Sequence, residues 1–169
     1  NFFEKRKVIE TEFNTYLGGS GSEAQLGMEA DSEGNIHIAG FTTSSDFPTV
    51  NAYQSTHAGG DWELDYVVTC IDAEARNIIF STYLGGSSDE WAGPHPVDGW
   101  FHTALSPKLM DVGDNASTHI VCNTESADFP ITAGTVQSQR PTIRTPWETA
   151  TSLVRLSRTG QLDAATWLG

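Results

Sequence analysis

Thr15-Tyr16-Leu17-Gly18-Gly19-Ser20 returns 67 positions later as Thr82-Tyr83-Leu84-Gly85-Gly86-Ser87, and Thr166-Trp167-Leu168-Gly169 opens the phrase a third time. A second phrase, Asp46-Phe47-Pro48, recurs as Asp128-Phe129-Pro130. Repetition at this period is the signature of a stacked architecture. A unit that cannot bury its own apolar face needs a neighbour of the same kind, so the period names the architecture before any residue names a chemistry.

Within the first unit the pattern reads as short strands separated by turns. An alternating stretch over residues 25–30 leads into the turn Asp31-Ser32-Glu33-Gly34-Asn35, followed by a β-rich run over 36–41. Asp and Gly-Asn supply the self-bonding side chain and the positive φ that a tight hairpin needs. A Pro-containing loop spans 44–53, and 66–71 is β-branched and mostly apolar, as a buried strand should be. The polar turn 72–77 then delivers the chain to a fourth strand over 78–83, which ends on the next Leu-Gly-Gly.

Four short strands per unit make one β-propeller blade. The expected fold is therefore all-β, built of four-stranded antiparallel blades, as an incomplete ring of about two blades plus one extra strand. Residues 1–18 read as the outer strand of a preceding blade, because Phe13-Asn14-Thr15-Tyr16 aligns with Phe80-Ser81-Thr82-Tyr83. Residues 19–85 form the first blade unit and 86–169 the second. The second is longer: Thr15 to Asp46 is 31 positions, Thr82 to Asp128 is 46. Alignment places the extra residues between its first and second strands, near 99–115, with the innermost strand over 91–97. Propellers close with about 4–8 blades, so the ring is expected to be completed by further blades in the same or another chain, the chain itself reading as a fragment. End blades without neighbours would expose apolar faces, and the isolated chain is expected to associate.

Composition narrows the function classes. Acids outnumber bases 22 to 9, for a net charge of −13. That balance argues against nucleic acid, which is held by neutralising phosphates, and against an anionic membrane surface. It leaves room for a polysaccharide or a protein ligand met by a local patch. No run approaches the roughly 18 apolar residues of a membrane span, and the first residues lack the apolar core of a signal peptide. Cys70 and Cys122 occupy unlike positions in their units; pairing, metal ligation and burial as thiols are all open to them, burial being the commonest fate.

At Tyr16-Leu17-Gly18-Gly19-Ser20, Asp31 to Asn35, Gly40-Phe41-Thr42 and Ser45 to Thr49 the chain resembles the bacterial β-propeller repeat family often called SBBP. The second unit departs from that pattern at Cys122-Asn123-Thr124 and at the turn from Gly113 to Ser117. The resemblance spans nearly the whole chain. It implies a secreted or cell-surface protein and a propeller fold, with no single activity and no defined cofactor. Some polysaccharide lyases, ulvan-degrading ones among them, are similar in architecture and use His, Tyr and Arg on uronate linkages; none of their catalytic residues carries over by motif.

Two functional readings follow. The first is a binding or surface-interaction module for carbohydrate or protein. The second is a uronate-polysaccharide lyase. For the lyase, the candidate catalytic residues are the histidines that the repeat does not explain. His95 takes the place of Met28 in the innermost strand, between Pro94 and Pro96, and His102 lies in the aromatic insertion. An imidazole near a polar channel suits acid–base work. His37 and His119, at equivalent places in the two units, read instead as parts of the blade. For ligand binding the candidates are Trp62 and Trp147, each in the loop before a third strand, and Arg140 and Arg144, cations concentrated late in an acidic chain. The alternating oxygens of Asp31, Glu33 and Asn35 would suit calcium, but Gly113 and Ser117 in the second copy remove part of that set; a plain hairpin turn accounts for them, and no metal site is expected.

Overall fold

The computed structural model describes residues 14–59, 64–90, 109–142 and 149–168. These residues form eight strands and no helix. They are β1 (Glu23–Ala30), β2 (Ile36–Thr42), β3 (Asp65–Ile71), β4 (Ile78–Leu84), β5 (Met110–Val112), β6 (Thr118–Thr124), β7 (Ala150–Leu156) and β8 (Leu162–Leu168). They build two separate four-stranded antiparallel sheets in sequence order, β1-β2-β3-β4 and β5-β6-β7-β8. Neither sheet closes on itself.

The hairpin turns share one design. Asp31 caps its turn through Oδ1, which accepts from Glu33 N and Asn35 N at 2.9 Å each, while Oδ2 accepts from Asn35 Nδ2 at 2.8 Å. Asp72 repeats this with Arg76 N, Asn77 N and Asn77 Nδ2. In all four turns the fourth residue donates its N–H to the carbonyl of the first, three positions earlier. That residue has positive φ: Gly34 (87°), Ala75 (53°), Ala116 (59°) and Gly160 (80°). Glycine adopts this region freely and alanine at a cost, so two of the four turns are strained.

Register makes the repeat explicit. The row His37↔Cys70↔Phe80 in the first sheet corresponds to His119↔Arg155↔Ala164 in the second. Likewise Phe41↔Tyr66↔Leu84 corresponds to Asn123↔Thr151↔Leu168. On the opposite faces, Ile38↔Thr69↔Ser81 corresponds to Ile120↔Val154↔Ala165.

The sheets stack with unlike faces in contact. The first contributes Ala39, Phe41, Tyr66, Val68, Cys70 and Phe80; the second contributes Met110, Ile120, Cys122, Val154, Leu156 and Trp167. Tyr66, Val68, Phe80, Ile120, Val154 and Leu156 have no measurable exposure, so each stabilises the stack by about 1.5–3 kcal/mol of apolar burial. Close approach is specified by glycines at two points. A Cβ on Gly27 would sit 3.3 Å from Met110 Cβ, and one on Gly160 would lie 2.5 Å from Phe80 Cγ. The tip of the β7–β8 turn therefore sits directly on the Phe80 ring.

One alignment is corrected here. Met110 pairs with Ile120 as Met28 pairs with Ile38, and β5 takes the place of β1. Residues 110–112, which the alignment placed inside the insertion, are thus strand, and the rest of the 99–115 stretch before Leu109 lies outside the described residues. The expected inner strand over 91–97 falls outside the described residues. Residues 14–22 carry no strand pairing, although Leu17 packs with Phe47, Val67 and Tyr83.

Candidate functional site

The repeated phrases turn out to be a clasp that ties each sheet's entry to the loop after its second strand. Asp46 Oδ1 accepts from Ser20 N at 2.8 Å and Ser20 Oγ at 2.9 Å; Asp128 Oδ1 accepts from Ser87 N at 2.8 Å and Ser87 Oγ at 3.0 Å. These bonds hold both aspartate carboxyls below their ordinary value, the backbone N–H of the serine being the largest cause in each. A glutamate completes the clasp. Glu23 Oε1 accepts from Thr42 Oγ1 (2.9 Å), Ser44 Oγ (2.5 Å) and Gly19 N (3.2 Å). Glu90 Oε1 accepts from Thr124 Oγ1 (2.8 Å), Ser126 Oγ (2.6 Å) and Gly86 N (3.2 Å).

Identical donors surround two very different carboxyls. Glu23 is exposed, and although partial burial acts to raise its pKa, the bonds from Ser44, Gly19 and Thr42 outweigh that and hold it below the usual value. Glu90 is fully buried at the seam, against Asp65 at the start of β3, itself fully buried. Asp65 Oδ2 accepts from Ala58 N at 2.7 Å, while Asp65 Oδ1 and Glu90 Oε2 face each other. A Cβ on Gly85 would collide with both of those oxygens, so glycine is required there. With both groups ionised, neither facing oxygen would have a donor. One proton shared between them satisfies both. Burial, and then the neighbouring carboxyl, raise Glu90; burial also raises Asp65, against the bond from Ala58.

A second buried cluster surrounds His37. Its Nδ1 lies 2.8 Å from Thr118 Oγ1 across the seam, and Nε2 lies 3.5 Å from both Asp31 Oδ2 and Cys70 Sγ. Asp, His and Cys together suggest a nucleophile relay, but the geometry is wrong. In a relay the two ring nitrogens face the acid and the nucleophile separately; here one nitrogen faces both. Burial lowers the His37 pKa and pushes the Cys70 thiol up to about 12, so the sulfur stays protonated and unreactive. Cys122 is likewise pushed up by burial, and both thiols are free. Among the described residues no group of three or more His, Cys, Asp or Glu could hold a metal ion.

The accessible chemistry lies where three hairpin turns meet. A polar cleft of about 330 Å³ is lined by Ser32 and Glu33 of the β1–β2 turn, Asp114 and Asn115 of the β5–β6 turn, and Ser157, Arg158 and Asp163 around the β7–β8 turn. Arg158 Nη2 stands 3.5 Å from the Glu33 carboxylate, which links the two sheets across the cleft at an exposed ion pair. Such a pair is worth little as stabilisation, so its groups are available to a ligand.

Of the residues singled out from the sequence, Trp62, His95, His102, Arg144 and Trp147 lie outside the described residues. Arg140 is placed: its Nη2 donates to the carbonyl oxygen of Glu125 at 2.7 Å, tying its loop to the end of β6. Met110, in the β5 position, is the register counterpart of Met28 that the alignment had given to His95. Sequence reasoning missed the Asp65–Glu90 pair and the Arg158 cleft. The signal for the first was present, since the repeated phrase continues to a glutamate in both copies, Glu23 and Glu90.

No family model matches the chain, and no curated protein matches it either.

Proposed function

We propose that the two sheets are consecutive blades of an exported, SBBP-like β-propeller and that the chain acts as a non-catalytic binding module. Its ligand is a hydroxyl-rich carbohydrate held in the cleft between the turns. The observation that carries this reading is the composition of that cleft. Carboxylates of Glu33, Asp114 and Asp163, the amide of Asn115 and the guanidinium of Arg158 converge on one open, polar hollow. Planar carboxylates, amides and guanidinium groups bind paired sugar hydroxyls through two parallel hydrogen bonds. By contrast, the described ionisable groups with raised pKa, Asp65, Tyr66, Cys70, Tyr83, Glu90 and Cys122, are all buried away from this cleft.

The test is a titration of the labelled protein with a neutral β-glucan oligosaccharide and with a uronate oligosaccharide, followed by backbone amide shifts. Shifts at Ser32, Asn115 and Arg158 that vanish in Arg158→Ala support the reading; none at the cleft with either sugar overturns it. The lyase alternative has its own readout. Wild-type protein that releases unsaturated product from a uronate polymer, with loss of that activity in His95→Ala or His102→Ala, would replace the binding module by an enzyme.

A further inference from the structure

Three of the four hairpin turns are capped by the side chain that opens them. Asp31 and Asp72 do so through their carboxylate oxygens, and Ser157 Oγ accepts from Thr159 N at 3.3 Å and Gln161 N at 3.1 Å. The β5–β6 turn departs from this pattern. It opens on Gly113, which has no side chain, and its cap comes from the third residue: Asn115 Oδ1 accepts from Ser117 Oγ at 2.7 Å and from Ser117 N at 3.3 Å. The backbone of the turn is otherwise the same, with Gly113 N donating to Ser117 O at 2.9 Å and Ala116 N to Gly113 O at 2.8 Å.

The exchange leaves an amide nitrogen free. Asn35 Nδ2 donates to Asp31 Oδ2, Asn77 Nδ2 to Asp72 Oδ2, and Asn51 Nδ2 to the Ile79 carbonyl oxygen. Asn115 is exposed, and its Nδ2 donates to none of the described residues. A Cβ on Gly113 would lie 3.0 Å from Ser117 Oγ and 3.3 Å from Asn115 Oδ1. The Asn–Ser pair therefore fills the space that a capping side chain at the first position would need.

Asn115-Ala116-Ser117 is also the one Asn-X-Ser/Thr triplet in the chain. That triplet is the acceptor for N-linked sugar, the transferase reading the hydroxyl two places after the asparagine. A bulky, solvated sugar is tolerated where the asparagine reaches water, as the tip of a surface turn does. In the folded chain Ser117 is 2% exposed and its hydroxyl is engaged by Asn115. A transferase can therefore read that hydroxyl only before the β5–β6 hairpin has formed.

We propose that Asn115 is an N-glycosylation acceptor, modified during export and before the second sheet closes over Ser117. The donor is a lipid diphosphate-linked oligosaccharide, and the catalyst is a membrane transferase. Asn115 Nδ2 attacks C1 of the first sugar. The Nδ2–C1 bond forms and the bond from C1 to the phosphate oxygen breaks. The lipid diphosphate leaves with that electron pair, and one amide proton passes to a base of the transferase. Folding then buries Ser117 and leaves the sugar at the turn tip, on the wall of the cleft that Asn115 lines. This rests on reading the chain as exported and not on the ligand of the cleft.

The experiment secretes the full chain from a eukaryotic host behind that host's own export signal. Because the signal is supplied, an absence of sugar counts against the acceptor and not against the export reading. Wild type recovered from the medium is expected to carry one glycan, seen as a mobility shift that peptide N-glycosidase reverses while converting Asn115 to aspartate. Ser117→Thr keeps the hydroxyl and should keep the glycan. Ser117→Ala and Asn115→Asp should each abolish it. Asn115→Asp retains the Oδ1 acceptor for Ser117 and should match wild type in circular dichroism, which separates loss of the acceptor nitrogen from loss of the fold. The proposal is overturned if the secreted wild type carries no sugar, or if the glycan persists in Asn115→Asp. Folded chain made without sugar, mixed with the solubilised transferase and its lipid diphosphate donor, should stay unmodified. Modification there to the extent reached during secretion overturns the order of events.

Discussion

Replacing Glu90 by Gln should flatten the dependence of stability on pH above neutrality. In the folded chain Glu90 and Asp65 hold one proton between them, and the pair's proton is pushed up to about 9 on Glu90 by burial and by the facing carboxyl. In the unfolded chain a glutamate releases its proton near its ordinary value of 4.5. The folded state therefore binds one proton more than the unfolded state throughout the interval. A raised carboxyl contributes stability that is fully present below the ordinary value and is lost as pH climbs toward the raised one. One proton corresponds to about 1.4 kcal/mol per pH unit, so raising the pH from 7 to 8 should cost wild type about 1.4 kcal/mol, a tenfold change in the unfolding constant.

Glutamine suits this site in its neutral form. Its Oε1 can accept from Gly86 N, Thr124 and Ser126, as Glu90 Oε1 does, and its Nε2 can donate to Asp65 Oδ1. It keeps the hydrogen bonds and removes the proton. Buried His37, lowered by desolvation, pulls the slope the other way near its ordinary value of 6.5, and the raised Cys70 and Cys122 thiols add to the fall near 9. Those groups are unchanged in the variant, so the difference between the two proteins isolates the pair. Urea unfolding at pH 7, 7.5 and 8 measures it. Equal slopes in wild type and Glu90→Gln would refute the shared proton, and so would a wild type whose difference from the variant runs upward with pH.

Further expectations concern the repeated phrases and turns. Asp46→Ala and Asp128→Ala each remove a carboxylate that accepts two hydrogen bonds, and each should lower the urea-unfolding midpoint, with shifts of the same direction and similar size in the two copies. Ala75→Gly and Ala116→Gly relieve a positive φ and should raise stability by about 0.5–1 kcal/mol each in thermal unfolding. Neither Cys70 nor Cys122 should react with a thiol reagent in the native state, and both should react in denaturant, because each is buried and held as thiol.

Much of the architecture was legible because it is local or repeated. The described strands of the first unit follow from alternation, from the β-branched apolar run of β3 and from the Asp-to-Asn turns, which bond within five residues of chain. The second unit was harder. Placing an insertion depends on matching short degenerate stretches, and Met110–Val112 is a three-residue strand with no pattern of its own; only pairing with β6 identifies it. The candidate site was less legible for a different reason. The Arg158 cleft joins turns at residues 33, 115 and 158, and the Asp65–Glu90 pair joins the start of one strand to the clasp of the next sheet. Neither is expressed as a spacing in the chain.

The two copies differ most where sequence alone gives no reason to look. Residues that bond within a sheet's own clasp and turns are retained in both, as Glu23 and Glu90 show, because every copy must fold its own loops. Residues that point toward a following sheet are retained only in part: His119 and Leu168 stand for His37 and Leu84, while Asn123, Thr151 and Ala164 replace Phe41, Tyr66 and Phe80. Phe41 and Tyr66 have a sheet to meet, and Asp65 has Glu90; Asn123, Thr151 and Ala150 stand at those places in the second sheet and have none of the described residues stacked upon them. On the outer face of the first sheet, Met28 and Ile38 line an open apolar pocket beside Glu23. The two outer faces of the pair are therefore unlike: one carries Met28 and Ile38 beside an apolar pocket, the other carries exposed Leu153 and Leu168 among Asn123, Thr151 and Arg155.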